Sequence, residues 1–469
     1  MIQCQIAKEA KAALDQLACE IKYYDSKRRG FVRVGKLRVV AGLLVLLLLL
    51  SLFTGCKSSK GKEALANEEL PKIKLNFYYP RDGSEIIKRL VTSYQTLHED
   101  IILKSVEISG DREGYVGKLS AILAAGEEFP DVMIIHDSWV TQFAKEGYIK
   151  VLDGGLSDVK QAEYFTGMVQ AMTWNKKIYG LPFWQDAPLL YYRKDLMASP
   201  PSTWDELERL AVDISAAKGI PNGLVFPANS QENSAAFIAS LLTAYHAYPD
   251  LRASVVAFDE APMVEAFNRL NSMVLNGAIS NDVLNMSAED SRITFEKGNS
   301  VFMWNWSYAS KLLNNEDSLL YGKIGTAPIP MAQGGMNSAG ILSGWAMVMS
   351  KQTKAIPEAW SFMEYLAGSE SQLRIATEGG LMPAKSALYK GKDWQSQLGL
   401  SPILPDVLGF GRSLEFGPDV SNQLNIITKV AELAIGQTKD SSTTLMTYLK
   451  EGVVIENPVQ GEQNILDEP

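Results

Sequence analysis

The segment Phe129-Pro130-Asp131-Val132-Met133-Ile134-Ile135-His136-Asp137-Ser138-Trp139, running on to Phe143-Ala144-Lys145-Glu146-Gly147, decides the fold. Its first half is a short unbroken apolar run. A strand covered on both faces reads this way, because neither side needs polar groups for water. Its second half has helical spacing and stops at a glycine. Upstream, residues 72–79 alternate like a strand, Gly83 breaks the pattern, 86–97 is spaced as a helix, 101–108 alternates again, and 115–125 is a second amphipathic helix. Strand–helix alternation of this kind predicts a doubly wound α/β layer structure.

Downstream, the pattern becomes mainly helical over 204–276, with helices expected near 204, over 233–245 and over 262–274. Thr203 is a candidate N-cap for the first of these. Strands are expected at 301–304, 323–327 and 345–349, and helices at 357–367 and 423–434, the former with a proline near its start. No Pro- or Ser-rich linker divides the chain. A mature chain of about 400 residues has the length of two domains. Two domains without a linker imply that the chain crosses between them more than once.

The N-terminus carries an export pattern. Lys27, Arg28, Arg29, Arg33, Lys36 and Arg38 precede an uncharged apolar run that ends at Thr54-Gly55-Cys56. A basic flank, an apolar stretch and small residues before a cut site mark a signal peptide. The cysteine after them resembles a bacterial lipoprotein signal, with Phe53 where leucine is usual, and implies lipidation of Cys56. The rival is an uncleaved anchor, since 17 uncharged residues from Val39 to Gly55 are at the low edge of a membrane span. Residues 1–55 are thus expected to be a signal with an N-terminal extension, the first ~33 being uncharacteristic of a signal and consistent with a mis-assigned start. Residues 56–71 are expected to be the lipidated cysteine and a flexible tether, and 456–469 a tail.

The whole chain has a net charge of −9, and the chain from Cys56 onward −14. Such acidity argues against nucleic acid as a partner. Cys56 is the one mature cysteine, which excludes a disulfide framework and a cysteine metal site. The three histidines, His98, His136 and His246, have no metal spacing, and no metal or cofactor is expected. There is no nucleophile elbow, P-loop, H-E-x-x-H or dinucleotide fingerprint. The informative residues are aromatic: Trp139, Trp184, Trp304, Trp306, Tyr308 and Trp345 stand beside Gly, Asn or Asp near strand ends. An aromatic plane beside amides and carboxylates suits a sugar, whose C–H face stacks while its hydroxyls bond to planar polar groups. Core packing is the competing explanation for each ring.

Several segments resemble one family in order. These are Phe129-Pro130-Asp131-Val132 through Gly147; Ile178-Tyr179-Gly180-Leu181-Pro182 to Asp186 and Leu190 through Leu196; Pro201-Ser202-Thr203-Trp204-Asp205-Glu206-Leu207; Phe295 through Tyr308; Pro328-Ile329-Pro330; and Ser343-Gly344-Trp345. Over about 72–451 the chain resembles the extracellular solute-binding proteins, family 1, of sugar ABC transporters, of maltose/trehalose-binding type. Two departures are Arg193 in place of Asn and Ser343 in place of the first Gly of "GGW". The resemblance implies an α/β, two-lobed periplasmic-binding-protein fold (type II), each lobe a mixed sheet flanked by helices, with the ligand cleft between lobes. Lobe 1 would comprise 72–183 plus 328–390, and lobe 2 184–327 plus 391–455. Crossovers are expected near 181–188, near 323–331 and after Met382-Pro383. The implied ligand contacts are Asp137, Trp184, Asp186, Asn305, Trp306, Tyr308, Gly344, Trp345 and Arg412, whereas Trp204 is expected to be structural. The implied function is capture of a di- or oligosaccharide and delivery to ABC transporter permease subunits, by a monomer anchored by lipid to a bacterial membrane, without catalysis. The rivals are an exported glycosidase using Asp137 and Asp186, a sugar-binding adhesin or sensor subunit, and a binder of glycerophosphodiesters or polyamines with the same fold.

Overall fold

The computed structural model describes residues 72–436, apart from 83, 110–111, 127–128, 153–157, 248–259, 334–340, 391–400 and 414–419. The signal, Cys56, the tether and the tail therefore lie outside the described residues. Among the described residues no helix is long and apolar enough to cross a membrane.

The strands, in chain order, are β1 (Ile73–Pro80), β2 (Ile101–Ile108), β3 (Val132–His136), β4 (Thr173–Trp174), β5 (Lys177–Ile178), β6 (Gly180–Asp186), β7 (Pro188–Arg193), β8 (Asn222–Val225), β9 (Ser300–Trp306), β10 (Ile324–Ala327), β11 (Ile341–Met349), β12 (Met382–Pro383) and β13 (Arg412–Ser413). They form two main sheets. The larger has the order β12-β6-β11-β3-β1-β2, with β13 also paired to β11; the smaller has the order β10-β7-β9-β8. Strand β1 runs parallel to both β2 and β3, and β11 antiparallel to both β3 and β6. The expected mixed sheets are thus present, one in each lobe.

Burial explains why the apolar runs are continuous. All five residues of β3 and all seven of β9 are buried. Helices Ile86–Leu97 and Ile356–Ala367 pack on the larger sheet, placing Phe362 edge-on to Phe77 at 4.9 Å. In the second lobe Trp204, Phe237 and Trp304 pack edge to face, with Phe226 stacked on Phe237. Trp204 is therefore structural, as expected. Trp304 is a core ring too, and Trp139 is buried in the first lobe. Thr203 accepts a hydrogen bond from the Glu206 N–H and caps helix Trp204–Lys218.

The chain passes from the larger to the smaller sheet through one residue, Ala187, between β6 and β7. It returns between β10 and β11. The last crossing falls later than expected. Arg412 and Ser413 pair with Ile341 and Leu342, which keeps this part of 391–455 on the larger sheet. Helix Val420–Gly436 then packs on the second-lobe helices Gln231–Ala244 and Glu260–Leu275. The two-residue pairing at β13 has too little pattern to be read as a strand from sequence.

Candidate ligand-binding site

In the larger sheet the strand order reverses direction around β1 and β3, and ligands of open α/β sheets bind outside the carboxyl ends of strands at such a point. His136 ends β3 and Asp137 opens the short turn Asp137–Trp139. Asp137 is buried, and its Oδ1 stands 3.0 Å from His136 Nδ1.

Two expected residues meet directly across β6 and β11. Trp184 and Trp345 are register partners, and their rings stack at 5.4 Å and 27°. The His136 ring stands edge-on to Trp345 at 5.4 Å, and the Tyr115 ring at 5.9 Å. Gly344 lies beside the pair because a side chain there would strike Met168 and come within 2.9 Å of the Trp184 carbonyl oxygen. Trp345 is the partly exposed member of the pair, while Trp184 is buried.

Asp186 ends β6 at the first crossing. Its Oδ1 accepts from the Ala187 N–H at 2.8 Å, from the Ser307 N–H at 2.9 Å and from the Ser307 hydroxyl. Burial pushes its carboxyl up to about 6, and the donors from Ser307, Ala187 and Tyr308 hold it from rising further. This acid ties the end of β9 to the hinge, and one of its two oxygens is already used.

The second lobe contributes less than the resemblance implied. Trp306 closes β9 opposite Pro188, and its Nε1 donates to Asn233 Oδ1 at 2.9 Å. Tyr308 is half-buried next to Asp186, and burial raises its phenol well above the usual range. Asn305 is turned inward. It is fully buried, its amide donates to the Ala288 carbonyl and Ser291 Oγ, and its Oδ1 accepts from the Trp306 N–H. Its amide is committed to holding helix Ala288–Glu296 against β9. The alternation of β9 explains this, since Asn305 and Trp306 point to opposite faces. For Arg412, the backbone pairing with Ile341 is defined; its side chain lies outside the description.

The site also holds residues that were not singled out. Helix Gln231–Ala244 begins at the N-cap Ser230, and its first turn carries Glu232 and Asn233. Glu232 Oε1 is 3.6 Å from His136 Nε2, and Ser343 Oγ donates to it at 3.5 Å. Ser343 Oγ is also 2.8 Å from His136 Nε2. Ser343 was visible only as a departure from the family pattern, and His136 only as a lone histidine. Nothing around Glu232 in the sequence marks it. Elsewhere, a groove of about 410 Å³ behind the second crossing is lined by Pro200, Pro328, Ile329, Met331, Val407 and Phe410, and includes none of the expected contacts. Among the described residues there is no group of three or more His, Cys, Asp or Glu able to hold a metal ion.

The family model for bacterial extracellular solute-binding proteins matches residues 86–373, more than half of the chain. A probable ABC transporter-binding protein of Deinococcus radiodurans is 27% identical over 301 residues, covering 62% of this chain and 71% of that protein. The maltodextrin-binding protein MdxE of Bacillus subtilis is 25% identical over 353 residues, covering 72% and 79%. The structure of maltose-bound MalE3 from T. maritima superposes with a TM-score of 0.69 at 26% identity, covering 81% of this chain and 99% of that one. The chain belongs to the bacterial extracellular solute-binding protein family and has its two-lobed fold.

Proposed function

We propose that this protein is the substrate-binding lipoprotein of an ABC importer, and that it captures a di- or oligosaccharide between its lobes. One observation carries the reading. The stacked Trp184–Trp345 pair stands on β6 and β11, edge-on to His136 at the carboxyl end of β3 and two residues from the hinge residue Asp186. A flat apolar surface with acceptors at its edge is the chemistry a pyranose needs. Relatives named for maltodextrin and maltose binding support the class. Asp137, Trp184, Asp186, Trp306, Tyr308, Gly344, Trp345 and Arg412 are the proposed ligand-site residues. The lobes are taken as 72–186 with 328–390 and Arg412–Ser413, and 188–327 with the C-terminal helix, the first boundary lying at Ala187 rather than at 183. Cys56 is the proposed lipid attachment, which would hold a monomer near its permease on the outer face of a membrane. Retention by acylation needs more than one chain.

A glycosidase is the rival that one observation touches, because Asp186 has the elevated carboxyl that a general acid requires. That elevation has a structural cause, the burial of the group at the hinge, and the hydrogen bonds it accepts there from Ser307 and Ala187 oppose it.

The test uses the mature chain from Lys57, since Glu69–Pro469 forms a compact unit by itself. Tryptophan emission and thermal stability are followed against mono-, di- and trisaccharides, polyols, glycerophosphodiesters and polyamines. A saturable response to one saccharide class, with the sugar recovered intact and the response lost in Trp345→Ala, supports the reading. Cleaved sugar makes the protein an enzyme. A response to a non-sugar solute alone rejects the substrate class.

A further inference from the structure

Helix Gln231–Ala244 belongs to the second lobe. It packs against helix Val420–Gly436, and its Gln231 carbonyl accepts from Thr428. Glu232 in its first turn nevertheless reaches the first lobe. Its Oε1 lies 3.6 Å from His136 Nε2 on β3 and 3.5 Å from Ser343 Oγ on β11. Those two strands are neighbours, and His136 and Ser343 stand 2.8 Å apart. On the other side of the ring, Nδ1 is 2.8 Å from Ser138 Oγ and 3.0 Å from Asp137 Oδ1. The imidazole is thus held between a carboxylate of its own lobe and a carboxylate of the other. The His136 side chain is 4% exposed and that of Glu232 18%, so water screens the pair weakly.

We propose that Glu232 and the His136–Ser343 pair form a latch between the lobes, and that the latch tightens when His136 takes up a proton. The proposal deepens the capture reading above and rests on it for its purpose. A neutral imidazole carries one N–H and can donate on one side only, whereas an imidazolium donates on both. In the neutral ring Nδ1 accepts from the Ser138 N–H, so proton uptake there turns Nδ1 toward the Asp137 carboxylate while Nε2 donates to Ser343, whose hydroxyl donates on to Glu232, and it sets a positive charge between the two carboxylates. When the lobes separate, Glu232 leaves with the second lobe and the ring loses that carboxylate. The differential interaction favours the closed arrangement, which is the condition for a proton to shift the equilibrium. Acidification into the range where carboxylates protonate removes the Glu232 charge and loosens the latch again.

Charged residues also stand on the neighbouring strands. Asp186 on β6 is the register partner of Ser343. Arg412 on β13 pairs through its backbone with Ile341, two residues before Ser343. The N-terminal end of the Glu232 helix favours the ionised carboxylate.

The experiment needs no ligand. The ring protons of His98, His136 and His246 are titrated by NMR in the mature chain, with His136→Gln assigning the signal. The radius of gyration is measured by small-angle scattering at about pH 6 and about pH 8.5, on either side of the histidine range. In Glu232→Gln the His136 midpoint should fall, because a carboxylate that favours the charged ring is gone. The wild type should be more compact at the lower pH, and that difference should vanish in Glu232→Gln and His136→Gln. Ser343→Ala retains both charges and should keep most of the pH response, which separates the latch from loss of a hydroxyl or of folding. An unchanged His136 midpoint in Glu232→Gln, or an equal pH response in wild type and Glu232→Gln, overturns the proposal. A chain that binds no sugar can still show the latch. A chain that binds maltose with a radius indifferent to pH, and with no midpoint change in Glu232→Gln, loses the latch and keeps the capture reading.

Discussion

Gly344 sits where Met168 and the Trp184 backbone leave no room for a side chain. Gly344→Ala should therefore destabilise the protein by about 1–3 kcal/mol, the usual cost of forcing extra volume into a packed site. Urea unfolding measures it, and a variant of wild-type stability would show that Met168 yields at no cost. Asp186 makes a different prediction. Its carboxyl titrates near 6 in the folded chain against an ordinary value of 3.8, so the folded state holds the proton more tightly than the unfolded state does. The sign follows: this stabilising contribution is present below about pH 4 and is lost as pH rises through 6, by about 3 kcal/mol at most. Asp186→Asn carries no such charge, so the stability difference between wild type and variant should move against the wild type between pH 4 and 7. Parallel pH profiles would mean that the carboxylate is not desolvated at the hinge. At this scale the sequence marked Trp184, Trp345 and Gly344, which the fold brings together across β6 and β11. It did not show that Asn305 is turned inward, because pattern cannot tell apart the two faces of a fully buried strand. It failed again at Glu232, because the partner of an exposed-looking carboxylate comes from another lobe.

Among the elements, helices Trp204–Lys218 and Glu260–Leu275 are joined by a polar cluster rather than by apolar packing alone. Buried Glu208 accepts from Arg269, from Ser272 at 2.6 Å and from Asn276 at 2.7 Å, while Arg269 also pairs with Asp205. Arg269→Leu leaves the Glu208 charge without its cation and should cost about 3–5 kcal/mol. Adding Glu208→Leu should recover most of that loss, because a matched apolar pair avoids desolvating either ion. A double variant as unstable as the single one would show that Ser272 and Asn276, not the ion pair, hold the junction. The long elements were legible because each buries one face or both: the strand over 132–136, the capped helix at 204, and the helices near 356–367 and 420–436 follow apolar period and capping residues. The short ones were not. Helices Thr166–Ala171 and Leu404–Phe410 and strand β13 span too few residues for periodicity to register, and tertiary contacts decide them.

For the whole molecule, the path of the chain prepares the proposed motion. A single residue, Ala187, separates a strand of one sheet from a strand of the other, and a second crossing lies between β10 and β11. Rotation about such short connections changes few backbone angles while moving whole lobes, which is the geometry of hinge closure. Asp186 fixes the hinge to β9, Asn233 fixes Trp306 to the first turn of helix Gln231–Ala244, and Glu232 in that turn meets His136 and Ser343. The proposed ligand site, the hinge and the interlobe contact therefore share one set of elements, and capture should be visible as a change in shape. A saccharide that bridges the lobes adds contacts available only in the closed form, so it favours closure by its differential affinity. At a free concentration one hundred times its dissociation constant it should stabilise the fold by about 2.7 kcal/mol. The expected result is a rise in melting temperature together with a smaller radius of gyration, both saturating at the same sugar concentration. Trp345→Ala should abolish the two responses together, because it removes the platform and leaves both crossings intact. Stabilisation without compaction would place the sugar on one lobe alone, and would separate binding in this protein from the closing motion.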